Sequence, residues 1–331
     1  MSNLEGRSAT MRQWRQPTRQ VWPWCSPDDV TSGTRTRRVR PVALPAVAAE
    51  LMAGGPVAEV VLADVKSRVA ALQEVGVTPG LGTILVGDDP ASAGYVRKKH
   101  EACEETGLAS QNTVVPVDAP PAALDEAVAR FNEDPAVDAF IIQHPVPDGF
   151  DFSAALAAMD PAKDADGLHP VNLGRLVLQE DGPVPCTPAG IRAMLVHYKI
   201  EVAGRRVVVI GRGPTLGRPM ALLLSSKGPG ANAAVTVVHS AVPNLAEMTR
   251  EADIVVAAVG IPSFVTPDMV RPGAVVVSGG ISWEGRKLLP DVDESVGEVA
   301  SWITPRLGGV GPTTVAMLLR NTVEAAERSI A

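Results

Sequence analysis

Hydrophobic positions along this chain alternate between two rhythms. After Pro56, Val57, Val61, Val65 and Leu72, with Val60 and Val69 beside them, fall at helical spacing and form one apolar stripe. Short apolar runs follow at residues 81–87 ("LGTILVG"), 113–117 ("TVVPV") and 137–143 ("VDAFIIQ"), separated by the helical patterns "ASAGYVRKKHEACEETG" and "PAALDEAVARFN". Residues 144–176 are dense in Pro, Gly and Asp and read as an ordered loop and junction, with a short helix around 153–159. Beyond them, "CTPAGIRAMLVHY" predicts a helix with Thr187 as N-cap and Pro188 at its first position. A second series runs "RVVVI", "GRGPTLGRP", "MALLLSS", "AVTVVH", "NLAEMTREA", "DIVVAAVG", "AVVVSGG". A glycine turn then opens a long amphipathic helix, with Val315, Leu318, Leu319 and Val323 on one face. Strands alternating with helices predict an α/β fold with parallel sheets and functional groups at the strands' carboxyl ends.

With 331 residues, 46% of them hydrophobic, the chain can bury a sizeable core and suggests two domains. Net charge is -7, yet residues 1–43 hold eight Arg, no Lys and three acids, which leaves -12 on the rest. That body has no basic footprint for nucleic acid. Cys25, Cys103 and Cys186 lie far apart without metal-ligand spacing, so no metal is expected and a reducing compartment, the cytoplasm, fits best. No run approaches the roughly 18 apolar residues that span a bilayer. Residues 1–43 carry Trp14, Trp22, Trp24 and "RTRRVR" without sustained period, and read as a disordered extension. An Arg-rich, acid-poor leader could imitate a transit peptide, but "WPWCSPDD" breaks the amphipathic pattern.

Two stretches carry candidate chemistry. In "VVVIGRGPTLGRPM", Gly211, Gly213 and Gly217 follow a strand and open a helix, where backbone N–H groups and the helix dipole can hold a pyrophosphate. The spacing is one residue longer than the usual fingerprint, so a plain tight turn competes with it. The next strand ends in His239 and Ser240, without the acid that a ribose 2′-hydroxyl would need. Arg212 and Ser240 could instead meet a 2′-phosphate, which favours NADP over NAD. In "ASAGYVRKKHEACEETG", Tyr95, Lys99 and Cys103 share a helix face, whereas Lys98 lies about 100° around the axis.

Several blocks together resemble the bifunctional methylenetetrahydrofolate dehydrogenase/methenyltetrahydrofolate cyclohydrolase family: "YVRKK", "IIQHPVP", "PAKDADGLHP", "PCTPAG", "GRGPTLGRPM", "DMVRPGAVVV" and "GGVGPTTVAMLL". The resemblance runs from about Pro56 to the C-terminus. It implies a three-layer α/β folate domain, residues 44–167 plus 313–331, and a Rossmann-like NADP domain, residues 168–312, with the last helix packing back on the first domain and a homodimer formed through the second. It implies oxidation of 5,10-methylenetetrahydrofolate by NADP and hydrolysis of the methenyl product to 10-formyltetrahydrofolate. Lys99, Tyr95, Gln143 and Asp166 match the family's catalytic positions. Substrate contacts would come from Tyr95, Gln143, Asp166, Gly309, Pro312 and Thr313, and cofactor contacts from Gly211, Arg212, Gly213, Gly217, Arg218, His239, Ser240 and Ile281.

The chain departs from the family pattern at His144, Gly213, Ser278 and "RLGGVGP"; His144 could tune Lys99 electrostatically, and none of the departures deletes a predicted catalytic group. Two other readings remain. A folate- or NADP-binding paralogue could have one activity or neither, and a short-chain oxidoreductase also places Tyr and Lys four apart. Order argues against the latter, because here the Tyr/Lys helix precedes the glycine turn by more than a hundred residues.

Overall fold

The computed structural model describes residues 48–284 and 287–330; the predicted extension over residues 1–43 lies outside them. The first series comprises β1 (Glu50–Leu51), α1 (Gly55–Glu74), β2 (Gly80–Val86), α2 (Pro90–Thr106), β3 (Ala109–Val115), α3 (Ala122–Glu133) and β4 (Ala139–Ile142). Three helices, α4 (Phe152–Ala158), α5 (Pro170–Leu178) and α6 (Cys186–His197), form the junction. The second series is β5 (Arg206–Ile210), α7 (Gly217–Ser225), β6 (Ala234–Val238), α8 (Leu245–Arg250), β7 (Ile254–Ala257), β8 (Val275–Ser278), β9 (Ile281–Glu284), β10 (Lys287–Pro290) and β11 (Trp302–Ile303). Helix α9 (Val310–Ile330) closes the chain.

Two parallel sheets result, ordered β3-β2-β4 and β1-β11-β8-β7-β5-β6, with β9 and β10 paired as an antiparallel ribbon. The central strands of the larger sheet read as near-continuous Val/Ile because both of their faces are covered. Val207, Val209 and Val256 pack on one side with Ile191 and Met194 of α6, while Val208, Ile210 and Val255 pack on the other with Val265 and Val296. The smaller sheet divides in the same way. Leu81 and Ile141 meet α1 and α9 through Val65, Val69, Leu318 and Leu319, and Ile84 and Phe140 meet α3 through Leu124 and Phe131. Helix α9 therefore returns to the first series and seals its sheet.

Four details differ from the sequence reading. β1 pairs with β11, so residues 50–51, expected at the head of the first domain, add a strand to the larger sheet. Helix α6 starts at Cys186 with Pro185 as its cap, not at Pro188 with Thr187. The Cys186 N–H donates to the Asp166 carbonyl at 3.2 Å, so a tertiary partner supplies the capping bond, and the Thr187 hydroxyl accepts from Thr314 instead. Helix α5 fell inside the expected loop; His169 caps it, its Nδ1 accepting from the Val171 N–H at 3.1 Å, and Pro170 opens it. Val60 is exposed, off the buried stripe of Val57, Val65, Val69 and Leu72.

Candidate active site

Helix α2 has well-defined ends. The Asp89 carboxylate accepts from the Ser92 N–H at 2.8 Å, and Gly107 ends the helix in the left-handed conformation at φ 83°. Between them Val96, Lys99 and Cys103 face inward, while Arg97 and Lys98 face solvent. Lys99 is only 9% exposed, and its ammonium donates to Gln143 Oε1 at 2.9 Å. Gln143 sits one residue past β4, its N–H bonded to the Ile84 carbonyl, and its Nε2 donates to the His144 carbonyl at 2.8 Å. Both ends of the amide are thus held, with the acceptor turned to Lys99. Tyr95 is half-buried one turn before Lys99, and the Lys98 ammonium stands 6.0 Å from its ring centroid.

Asp166 reaches this cluster by a built turn. Asp164 bridges to Phe140 of β4, and its carboxylate, 2% exposed, accepts from the N–H groups of Gly167 and His169 at 2.9 and 2.8 Å and from Asn172 Nδ2 at 2.9 Å. Gly167 takes φ 72°, and a Cβ there would stand 2.5 Å from the Val184 carbonyl carbon, so only glycine lets the turn close. Asp166 then lies close enough to Lys99 for the two to perturb each other. Burial lowers the Lys99 pKa below the ordinary lysine value, opposed by the negative charge of Asp166. Burial likewise pushes the Asp166 carboxyl up, opposed by Lys99. A lysine held below its usual pKa gives up its proton more readily than one in water, and a carboxylate beside it keeps it coupled to the site. His144 packs edge-on against Phe152 with ring centroids 4.9 Å apart, and burial lowers its pKa, opposed by the negative charge of Asp166.

The glycine turn lies at the carboxyl ends of β5, β6 and β7. The Gly211 N–H donates to the Val238 carbonyl and the Ala258 N–H to that of Ile210, which places the turn between two neighbouring strand ends. Gly211 has φ 111°, and a Cβ would stand 2.1 Å from the Ala258 oxygen. A Cβ at Gly213 would meet nothing within 4 Å, so open space lies above the turn at the mouth of α7. A pyrophosphate fits there, against backbone and the helix N-terminus. Arg212, Arg218 and Ser240 are exposed around it, and His239 is partly buried, its Nδ1 accepting from the Ala241 N–H. Ile281, at the start of β9, is 40% exposed.

Of the remaining predicted contacts, Gly309 is buried beside Gly54 and Pro312 is partly buried at the start of α9. Thr313 is fully buried where α6 crosses α9, and its hydroxyl donates to the Val310 carbonyl. The sequence reading missed Asp291. Its buried carboxylate accepts from the N–H groups of Val259, Gly260 and Ile261 at 2.7, 3.1 and 3.0 Å, fixing the loop after β7 beside the Gly211 turn. Nothing in "LLPDVDES" marked it, because its partners lie some thirty residues upstream.

Residues 52–166 match the family model for the tetrahydrofolate dehydrogenase/cyclohydrolase catalytic domain, and residues 185–330 the model for the NAD(P)-binding domain of the same family. The bifunctional protein FolD of Syntrophotalea carbinolica is 68% identical over 281 residues, 85% of this chain and 97% of that relative. The chain belongs to the tetrahydrofolate dehydrogenase/cyclohydrolase family. Among solved structures, the bifunctional FolD enzyme of Campylobacter jejuni matches with 38% identity and a TM-score of 0.80, over 85% of this chain and all of that one. The Trypanosoma brucei dehydrogenase-cyclohydrolase, solved with NADP cofactor and an inhibitor, matches with 38% identity and a TM-score of 0.80, over 85% of this chain and 98% of that one. Family membership leaves the short-chain reading without support. It agrees with the two-domain α/β architecture and the Rossmann-like second sheet.

Proposed function

We propose that Lys99, Tyr95, Gln143 and Asp166 form one folate site that serves both reactions of this bifunctional enzyme: NADP-dependent oxidation of 5,10-methylenetetrahydrofolate, and hydrolysis of the methenyl product to 10-formyltetrahydrofolate. The observation that carries the assignment is the buried Lys99 ammonium, bonded to Gln143 and coupled to Asp166. In oxidation NADP, once bound, would supply the acceptor for the hydride that leaves the methylene carbon. The chain contributes positioning: the Asp166 carboxylate accepts pterin N–H donors, and the Tyr95 ring lies against the flat pterin. In hydrolysis Lys99, in its neutral form, takes a proton from the water that attacks the methenyl carbon, and Gln143 Oε1 aligns the amine.

Arg212 and Ser240 suit the 2′-phosphate, and the turn at Gly211, Gly213 and Gly217 suits the pyrophosphate. We assign residues 52–167 with α9 to the folate domain and residues 168–309, together with β1, to the cofactor domain. A cytoplasmic homodimer is the assembly we favour. Strand β6 forms one edge of the larger sheet and leaves Val237 37% exposed, a surface suited to pairing between copies. Among the described residues no helix is long and apolar enough to cross a membrane. Purified protein given methylenetetrahydrofolate with NADP or NAD, followed at the methenyl and NADPH bands, tests the reading. Absence of either product step with both cofactors refutes it.

A further inference from the structure

Helix α9 carries a polar side chain that its packing role does not explain. Asn321 is 3% exposed, and the residues one turn away on its face are the buried Met317, Leu318 and Ala325. Its Nδ2 donates to the Ala165 carbonyl at 2.9 Å and to the Val184 carbonyl at 3.0 Å, groups 156 and 137 residues away. The two acceptors lie on separate segments: Ala165 immediately precedes Asp166, and Val184 leads into α6. These segments are also tied directly by the bond from the Cys186 N–H to the Asp166 carbonyl and by the close approach of Gly167 to Val184. An amide nitrogen has two hydrogens, so one Asn can hold both carbonyls where neither a hydroxyl nor an apolar side chain could. Removing it would leave the buried Val184 carbonyl without this donor and the Ala165 carbonyl with only the Cys186 thiol, 3.3 Å away, beside the turn that presents Asp166.

We propose that Asn321 is a positioning residue for both reactions, clamping the Asp166 turn and the start of α6 so that Asp166 is held at its working distance from Lys99. The proposal rests on the roles given above to Lys99 and Asp166. It makes the middle of the last helix part of the active-site framework, although Asn321 lies 156 residues beyond Ala165 in sequence. The clamp works through Asp166, and the other titratable groups around the pair are Asp164 and Cys186 beside Asp166, His144 facing it, and His100 next to Lys99 on α2.

The test compares Asn321→Ala with Thr322→Val. Thr322 is equally buried on α9, but its hydroxyl bonds within the helix to the Leu318 carbonyl and touches neither segment. Melting temperature, kcat and KM for both reactions, and the pH profile of hydrolysis are measured for each variant. Asn321→Ala should lower kcat for both reactions tenfold or more. It should also move the hydrolysis midpoint at least half a pH unit lower, as Asp166 drifts from Lys99. Thr322→Val should leave kcat and the midpoint at wild type even if it melts earlier. Should Asn321→Ala give no folded protein, Asn321→Ser, with one donor for two carbonyls, must show the same two changes in smaller degree. Wild-type kcat and midpoint in the folded Asn321 variant, or the same changes in Thr322→Val, overturn the proposal. Asp166→Asn measured alongside separates the two levels: if it moves the midpoint while the Asn321 variant does not, only the clamp fails, and if neither moves it, the Lys99–Asp166 reading fails as well.

Discussion

Replacing Asp166 by Asn tests whether one anchor serves both reactions. The change keeps the size of the side chain but exchanges half of its acceptor capacity for a donor, which then faces the pterin's own donors. Losing a hydrogen bond to a charged group costs about 1.5–3 kcal/mol, so kcat/KM should fall roughly 10- to 150-fold for oxidation and hydrolysis alike. The turn itself should survive, because it is built by Asp164, Asn172 and Gly167 and not by the Asp166 carboxylate. The substitution also has a pH signature of defined sign. Burial depresses the Lys99 pKa and the Asp166 charge opposes that depression, so removing the charge lowers the pKa further. Hydrolysis, which needs the neutral amine, rises with pH through that pKa, and its midpoint should therefore move to lower pH. The assay is kcat/KM for both reactions, with a pH series for hydrolysis and a melting curve to confirm folding. If either reaction stays near wild type, or the midpoint moves upward, Asp166 is a turn residue and the folate is anchored elsewhere.

Three further outcomes follow from named contacts. Arg212→Ala should weaken NADP binding much more than NAD binding, read as the ratio of the two KM values, and an unchanged ratio removes Arg212 from the 2′-phosphate. Gln143→Leu leaves the Lys99 amine without its 2.9 Å acceptor and should slow hydrolysis by roughly 10²-fold, with a smaller loss in oxidation; equal losses in the two would argue that Gln143 binds substrate instead of aligning Lys99. Gly167→Ala forces a Cβ to within 2.5 Å of the Val184 carbonyl carbon at φ 72° and should cost about 1–3 kcal/mol of stability, seen as a lower melting temperature together with loss of both activities. A melting temperature at the wild-type value would show that the turn relaxes freely.

Local patterns in the sequence carried the repeating parts of this fold well. Alternating strands and helices, the Tyr95/Lys99 face and the glycine turn after β5 all depend on spacings within a few residues, which periodicity and turn chemistry report directly. What escaped the reading depends on contacts between distant segments. The start of α6 is set by the Asp166 carbonyl and not by Thr187. β1 is two residues long and exists only because β11 lies beside it. Asp291 and Asn321 look like ordinary loop and helix residues until the backbone groups they serve arrive from elsewhere in the chain. Thr313 is a motif position beside the expected substrate whose packing against Gly190 of α6 no local pattern reports. Motif spacing thus indicated which loops meet, and the tertiary bonds decide which side chains within them face the chemistry.

The central claim is that Lys99 drives hydrolysis within the site where oxidation occurs, and a single-turnover experiment tests it most directly. Enzyme in excess over methylenetetrahydrofolate is mixed with NADP, and the NADPH and methenyl bands are followed together in wild type, Lys99→Met and Lys98→Met. In wild type the methenyl band should rise with NADPH and then decay as the 10-formyl product forms. In Lys99→Met NADPH should still appear, but the decay should slow by roughly 10²–10⁴-fold, the range for loss of a positioned general base. Lys98→Met should behave as wild type. Decay at the wild-type rate in Lys99→Met, or equal slowing in both variants, would contradict the account.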